Sequence, residues 1–195
     1  MSDAATSRHT FLFTDLVGFT ALAADEGDNH AADVALDFYG RVRHLLPDHR
    51  AEEVKTLGDG LLLRCEEPGE AIRLGVRIVS ELEAIPSFPA VRVGMHTGPA
   101  VERAGDWYGN TVNVAARLCA AAGGGEVLVS AATGEAARGL RKVRLSGQRL
   151  HWLKNVTEPI AAQIARESTS PCSGRLRNLL PMQAPRREAG PQGVA

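Results

Sequence analysis

Cysteine is scarce in this sequence, aromatic residues are few, and neither sign of charge prevails. The three cysteines, Cys65, Cys119 and Cys172, lie far apart, are odd in number and show no CxxC spacing. That argues against a disulfide framework and against a zinc site, and leaves Cys65 and Cys119 as small core residues. Lysine and arginine number 22 against 23 aspartates and glutamates. A protein that lives on nucleic-acid phosphates needs a basic surface, so that partner is not expected, although a local basic pocket for a small polyphosphate stays open. No apolar run approaches the roughly 18–20 residues that cross a membrane. The polar first ten residues lack the apolar core of a signal peptide. The expectation is a cytoplasmic protein with no membrane partner.

What is present suits one domain with a tail. Residues 1–8 read as a flexible N-terminus, 9–167 as the domain, and 168–195 as a Pro- and Arg-containing tail with too little apolar content to offset chain entropy. Within the domain, 9–13 is a short apolar run that stops at Asp15, as a buried strand would. Helical spacing covers 16–46, interrupted at Gly27-Asp28-Asn29 and ended by Pro47. Strands at 52–57 and 61–65 flank Gly58-Asp59-Gly60, a strong hairpin signal. A helix is expected over 68–85, a strand over 91–97 and a helix over 108–122 closed by three glycines. A strand at 126–130, a short helix at 131–138 and further strands over 141–164 complete the order. This is an α+β class, a ferredoxin-like βαββαβ core with helices packed on a mainly antiparallel sheet.

Three segments carry chemistry. In Phe13-Thr14-Asp15-Leu16-Val17-Gly18-Phe19-Thr20 a strand ends in a carboxylate and turns through glycine into a helix start, whose unpaired N–H groups suit phosphate. Asp15 beside such a nest reads either as a ligand of a hard cation or as a helix cap. Asp59 in Lys55-Thr56-Leu57-Gly58-Asp59-Gly60 would ordinarily be turn chemistry. A second carboxylate converging on the same sheet edge makes a minimal metal clamp. The third segment runs from Asp106-Trp107-Tyr108-Gly109 to Arg117, and puts Asn113 and Arg117 on one helical face.

Taken in order, FTDLVGFT, KTLGDGLLL and DWYGNTVNVAARL resemble the signatures of the class III adenylyl and guanylyl cyclases, with Leu153-Lys154 before Glu158-Pro159-Ile160 extending the likeness. The resemblance implies that Asp15 and Asp59, with Leu16, hold two divalent cations per site, Mg²⁺ or Mn²⁺. It implies that the backbone over 16–20, Phe19 and Thr20 included, wraps the phosphates. Lys55 and Asp106 match the pair that reads adenine, Asn113 the residue that orients ribose, and Arg117 the one that stabilises the transition state. Lys154 matches a lysine on the terminal phosphates, and Arg103 lies near a second phosphate-binding arginine of some members. Asn155 departs from the glycine usual after that lysine, a change of little consequence because asparagine tolerates positive φ.

The implied reaction is conversion of ATP to 3′,5′-cyclic AMP and pyrophosphate. A lysine donor and an aspartate acceptor complement adenine's edge, whereas guanine reverses that order. The family's sites lie between two cyclase domains, and this chain holds both residue sets, which implies a symmetric homodimer. No sensor or membrane segment is recognisable before Thr10, so a stand-alone catalytic unit is expected. The competing readings are a guanylyl cyclase and a catalytically silent nucleotide-binding regulatory module.

Overall fold

The computed structural model describes residues 8–137, 139–154 and 158–168. The N-terminal segment apart from Arg8, the tail beyond Ser168, Cys172 and Asn155 lie outside the described residues. Seven strands form one sheet in the order β2-β3-β1-β4-β7-β9-β8. They are β1 (Arg8–Leu16), β2 (Ala51–Leu57), β3 (Gly60–Cys65), β4 (Val91–Pro99), β7 (Val127–Ser130), β8 (Val143–His151) and β9 (Ile160–Glu167). Pairing is antiparallel except between β4 and β7. The first four strands with the helices between them reproduce the expected ferredoxin-like core.

Strand alternation divides the core between the two faces of the sheet. Leu12 and Leu16 of β1 join Leu61 and Leu63 of β3 in a cluster with α2 (Asp28–Leu45) and α3 (Pro68–Glu83). Phe11 and Leu62 instead meet Val112 and Ala115 of α4 (Asn110–Ala121) on the opposite face. The expected interruption of the first helix is real. Gly27, at φ 91°, separates α1 (Phe19–Glu26) from α2. Pro47 ends α2 in a 3₁₀ turn, and Pro68 opens α3 at a position whose N–H would have no helical partner anyway. Cys65 and Cys119 are buried and free, as expected of core residues.

The structure differs from expectation in one place that matters. Residues 101–108 form a hairpin of β5 (Val101–Arg103) and β6 (Asp106–Tyr108), and α4 starts at Asn110 instead of Tyr108. Ala104 and Gly105, at φ 52° and 77°, make the two-residue turn that requires positive φ at both centres. Gly109, at φ 144°, then separates strand from helix. Strand β1 also runs one residue past Asp15, because Leu16 still pairs with Val91.

Gly94 sets how closely α4 lies on the sheet. A Cβ there would stand 1.9 Å from the backbone nitrogen of Cys119 and 2.5 Å from its Cα, so helix backbone rests directly on strand backbone. Gly94→Ala must push α4 off β4. The expected loss is about 3 kcal/mol of stability, read from urea denaturation with an unchanged m-value.

Candidate active site

Strand β1 delivers Asp15 to one end of the sheet on the α4 face, where its register partners are Gly60 of β3 and Arg92 of β4. The turn from β2 to β3 brings Asp59 to the same end, tied by the Leu16 N–H donating to the Asp59 carbonyl at 3.3 Å. Gly60 has to be glycine for this closure, since a Cβ would lie 2.2 Å from the Thr14 carbonyl oxygen. From the other face of the sheet, the Tyr39 hydroxyl of α2 donates to the Gly58 carbonyl and holds the turn. Thr14 adds a reciprocal pair, its hydroxyl accepting from Leu61 N–H at 3.1 Å and donating to the Leu61 carbonyl at 3.4 Å.

The two carboxylates crowd one another. Burial first, and the charge of Asp15 second, raise the Asp59 carboxyl above its ordinary range. The guanidinium of Arg92 partly offsets this, bonding Asp15 Oδ2 through Nε at 2.7 Å and through Nη2. Arg92 also reaches the carbonyl of Ala120 at the end of α4, at 3.3 Å. Asp15 does not cap α1, whose N-cap is Gly18 at φ 80° with no side-chain cap bond. The helix start at Phe19 and Thr20 therefore keeps its N–H groups for another acceptor.

Lys55 and Asp106 meet across β2 and β6. Lys55 Nζ lies 2.5 Å from Asp106 Oδ2, and the Trp107 N–H donates to Oδ1 at 2.8 Å. The bond from Lys55 is the main cause that holds the Asp106 carboxyl below its ordinary range. Asn113 and Arg117 both stand exposed on α4, one turn apart, while Val112, Val114, Ala115 and Leu118 are buried. Neither makes a side-chain hydrogen bond or ion pair among the described residues. Lys154 is exposed beyond β8.

A cavity of about 160 Å³ lies beside Asp15, lined by Phe13, Leu57, Gly60, Arg92, Ala116 and Cys119 among others. Ligand pockets run to roughly 300–1,000 Å³, so the described residues of one chain do not enclose a nucleotide there. Asn113, Arg117, Lys154 and Lys55 do not line it. Larger hollows of about 420 and 750 Å³ contain none of the motif residues. One chain thus brings together Asp15, Asp59 and Arg92, and separately Lys55 and Asp106, but none of these pockets joins the two sets among the described residues.

These geometries invite comparison with known proteins. Residues 2–150 match the family described as the Adenylate and Guanylate cyclase catalytic domain. The chain belongs to that family. A pH-sensitive adenylate cyclase of Mycobacterium tuberculosis is 38% identical over 130 residues, covering 65% of this chain and 32% of the relative. An adenylate cyclase of Streptomyces griseus is 35% identical over 120 residues, covering 62% of this chain and 30% of the relative. A monomeric adenylate cyclase structure from Trypanosoma brucei superposes with a TM-score of 0.77 at 23% identity, covering 85% of this chain and 90% of that one, and shares the cyclase fold. The match spans about a third of the length of these curated relatives. Among the described residues no helix is long and apolar enough to cross a membrane.

Arg92 is the residue beside the two carboxylates that sequence reasoning missed. It is a lone arginine between buried Val91 and Val93, and that alternation is the signal that could have exposed it. Arg103, considered from sequence for phosphate, stands exposed at the β5–β6 turn and donates to its neighbour's carbonyl at Glu102, 2.9 Å away.

His96, the one histidine that could suggest a base, is packed. Its Nδ1 lies 2.8 Å from Ser130 Oγ, and burial, then the charge of Arg8, lower its pKa from 6.5 to about 4. Unfolded chains bind this proton at higher pH than folded ones, so stability falls as pH drops from 6.5 towards 4. The expected loss from this group is about 2 kcal/mol, allowing for partial exposure. Thermal melts across that window should show it, and His96→Gln should flatten the dependence.

Proposed function

We propose that this chain is the catalytic domain of an adenylyl cyclase that converts ATP to 3′,5′-cyclic AMP and pyrophosphate at sites shared between two copies. The observation that carries the reading is the crowding of Asp15 against Asp59 with Arg92 alongside. Two hard carboxylates forced together at one end of the sheet are a donor set for Mg²⁺ or Mn²⁺. Their mutual repulsion is what a cation would relieve. Asp15 and Asp59, with the backbone at Leu16, would hold two such ions. Bound there, the ions would lower the pKa of the ribose 3′-hydroxyl and screen the triphosphate.

The chain's own groups supply the rest. The open start of α1 at Phe19 and Thr20 receives phosphate through backbone N–H groups. Arg92, in preference to Arg103, is the arginine placed for the terminal phosphates, because its guanidinium already sits at the carboxylates. Lys154, three residues beyond β8, approaches the same phosphates from the other copy. Lys55 donates to a ring nitrogen of adenine, and Asp106 accepts from the exocyclic amine. Asn113 orients the ribose for in-line attack by its 3′-oxygen on the α-phosphorus. Arg117 neutralises charge that builds as the bond to pyrophosphate breaks.

That Asn113 and Arg117 have no side-chain partner among the described residues supports a second copy of the chain as the source of each site's missing half. A chain carrying Asp15→Ala and another carrying Asn113→Ala should each be inactive. Mixed, they should recover about a quarter of wild-type activity, since half the dimers are mixed and each holds one intact site. A mixture that stays inactive while both variants fold and dimerise would refute the shared site.

The direct test is cyclic nucleotide formation from ATP and from GTP with Mn²⁺, by wild type and Asp59→Ala. Wild type should favour ATP. Asp59→Ala should lose activity on the order of a hundredfold or more. Equal turnover of both nucleotides would instead favour a mixed cyclase, and nucleotide binding without pyrophosphate release a silent module.

A further inference from the structure

The hairpin β5–β6 carries Asp106, yet it forms its own two-stranded sheet outside the seven-stranded one. Its strands are three residues each, and an isolated pair of strands has little stability in water. From 101 to 108 every residue is exposed except Asp106 and Trp107. Trp107 is therefore the one apolar side chain by which the hairpin grips the domain.

Its seat is unusually well defined. The Trp107 ring lies 4.5 Å from the His9 ring at an interplanar angle of 62°, and 5.5 Å from the Phe11 ring. The Arg64 guanidinium covers it at 5.1 Å. Arg64 is itself fixed, its Nη1 2.9 Å from His9 Nδ1 and its Nε 2.5 Å from Glu52 Oε1. Burial and the charge of Arg64 keep His9 below its ordinary pKa, which suits a neutral ring accepting from the guanidinium. One indole is thus clamped between β1 and β3 by an edge-to-face contact, a tilted ring contact and a cation–π contact.

The clamp acts on Asp106 through one bond. The backbone N–H of Trp107 fixes Oδ1, while Lys55 takes Oδ2. We infer that Trp107, seated on His9, Phe11 and Arg64, is a positioning residue for base selection: it holds the Asp106 carboxylate where it can accept from adenine. This rests on the proposed reading of Lys55 and Asp106 as the base-reading pair. Phosphate handling at Asp15, Asp59 and Arg92 lies at the other end of the α4 face and does not depend on it.

The test compares kcat and KM for ATP and GTP across Asp106→Ala, Trp107→Ala, Trp107→Leu, Trp107→Phe and Arg64→Gln. Trp107→Ala should lower the ATP-to-GTP ratio of kcat/KM about tenfold, chiefly through the KM for ATP, towards the ratio of Asp106→Ala. Trp107→Phe, which keeps a ring beneath Arg64, should restore most of the ratio. Arg64→Gln should fall between them. If Trp107→Ala does not fold, Trp107→Leu carries the same expectation with the apolar volume kept. A variant at Trp107 that folds and loses activity on both nucleotides equally, with the ratio unchanged, overturns the proposal. If Asp106→Ala itself leaves the ratio unchanged, the base-reading assignment fails and the inference falls with it.

Discussion

A slip of one residue in the register of β1 would turn Asp15 into the core and Leu16 out to solvent, because strand faces alternate. The proposed site depends on that register being held from both sides. On one side, Asp15 stands opposite Gly60, the residue without a Cβ that lets the β2–β3 turn close over β1. On the other, it stands opposite Arg92, whose guanidinium reaches across to it. Leu12 and Leu16 anchor the strand in the cluster with α2 and α3, while Phe11 anchors it beneath α4. Burial of these side chains keeps two like charges together that would otherwise separate.

How much of this is legible in the sequence depends on how local the cause is. Asp59 is readable because Gly58-Asp59-Gly60 between apolar runs is a turn by its own chemistry. Asp15 is readable as the end of an apolar run before a glycine. The division of α1 from α2 follows from Gly27. The β5–β6 hairpin is not legible in the same way. Its strands are too short to show alternation, and its last residue, Tyr108, adjoins a segment with true helical spacing, so the expected helix takes it in. Arg92 escapes for another reason. A single charged residue in a strand acquires meaning only from its cross-strand partner, and that partner lies 77 residues earlier.

The same distinction separates the two proposed sets of site residues. Carboxylates on β1 and on the neighbouring turn are joined by sheet pairing, so one chain assembles them. Asn113 and Arg117 sit on the face of α4 that packing leaves over, and the fold supplies them with no partner among the described residues. Their spacing on the helix is legible; what they meet is not, because nothing among the described residues of one chain determines it.

The contact between Gly94 and Cys119 bears on how such a protein could be controlled. At Gly94, where helix backbone rests on strand backbone, α4 has no side-chain cushion on which to slide or roll against β4. Asn113 and Arg117 are therefore fixed relative to Asp15 of their own chain, like teeth cut into one gear. In the proposed dimer, any change in the gap between a transition-state arginine and the carboxylates it serves must come from one whole domain turning against the other. A regulator of this chain would then act as a clutch on the pairing of two rigid bodies, with the site itself as the point of engagement.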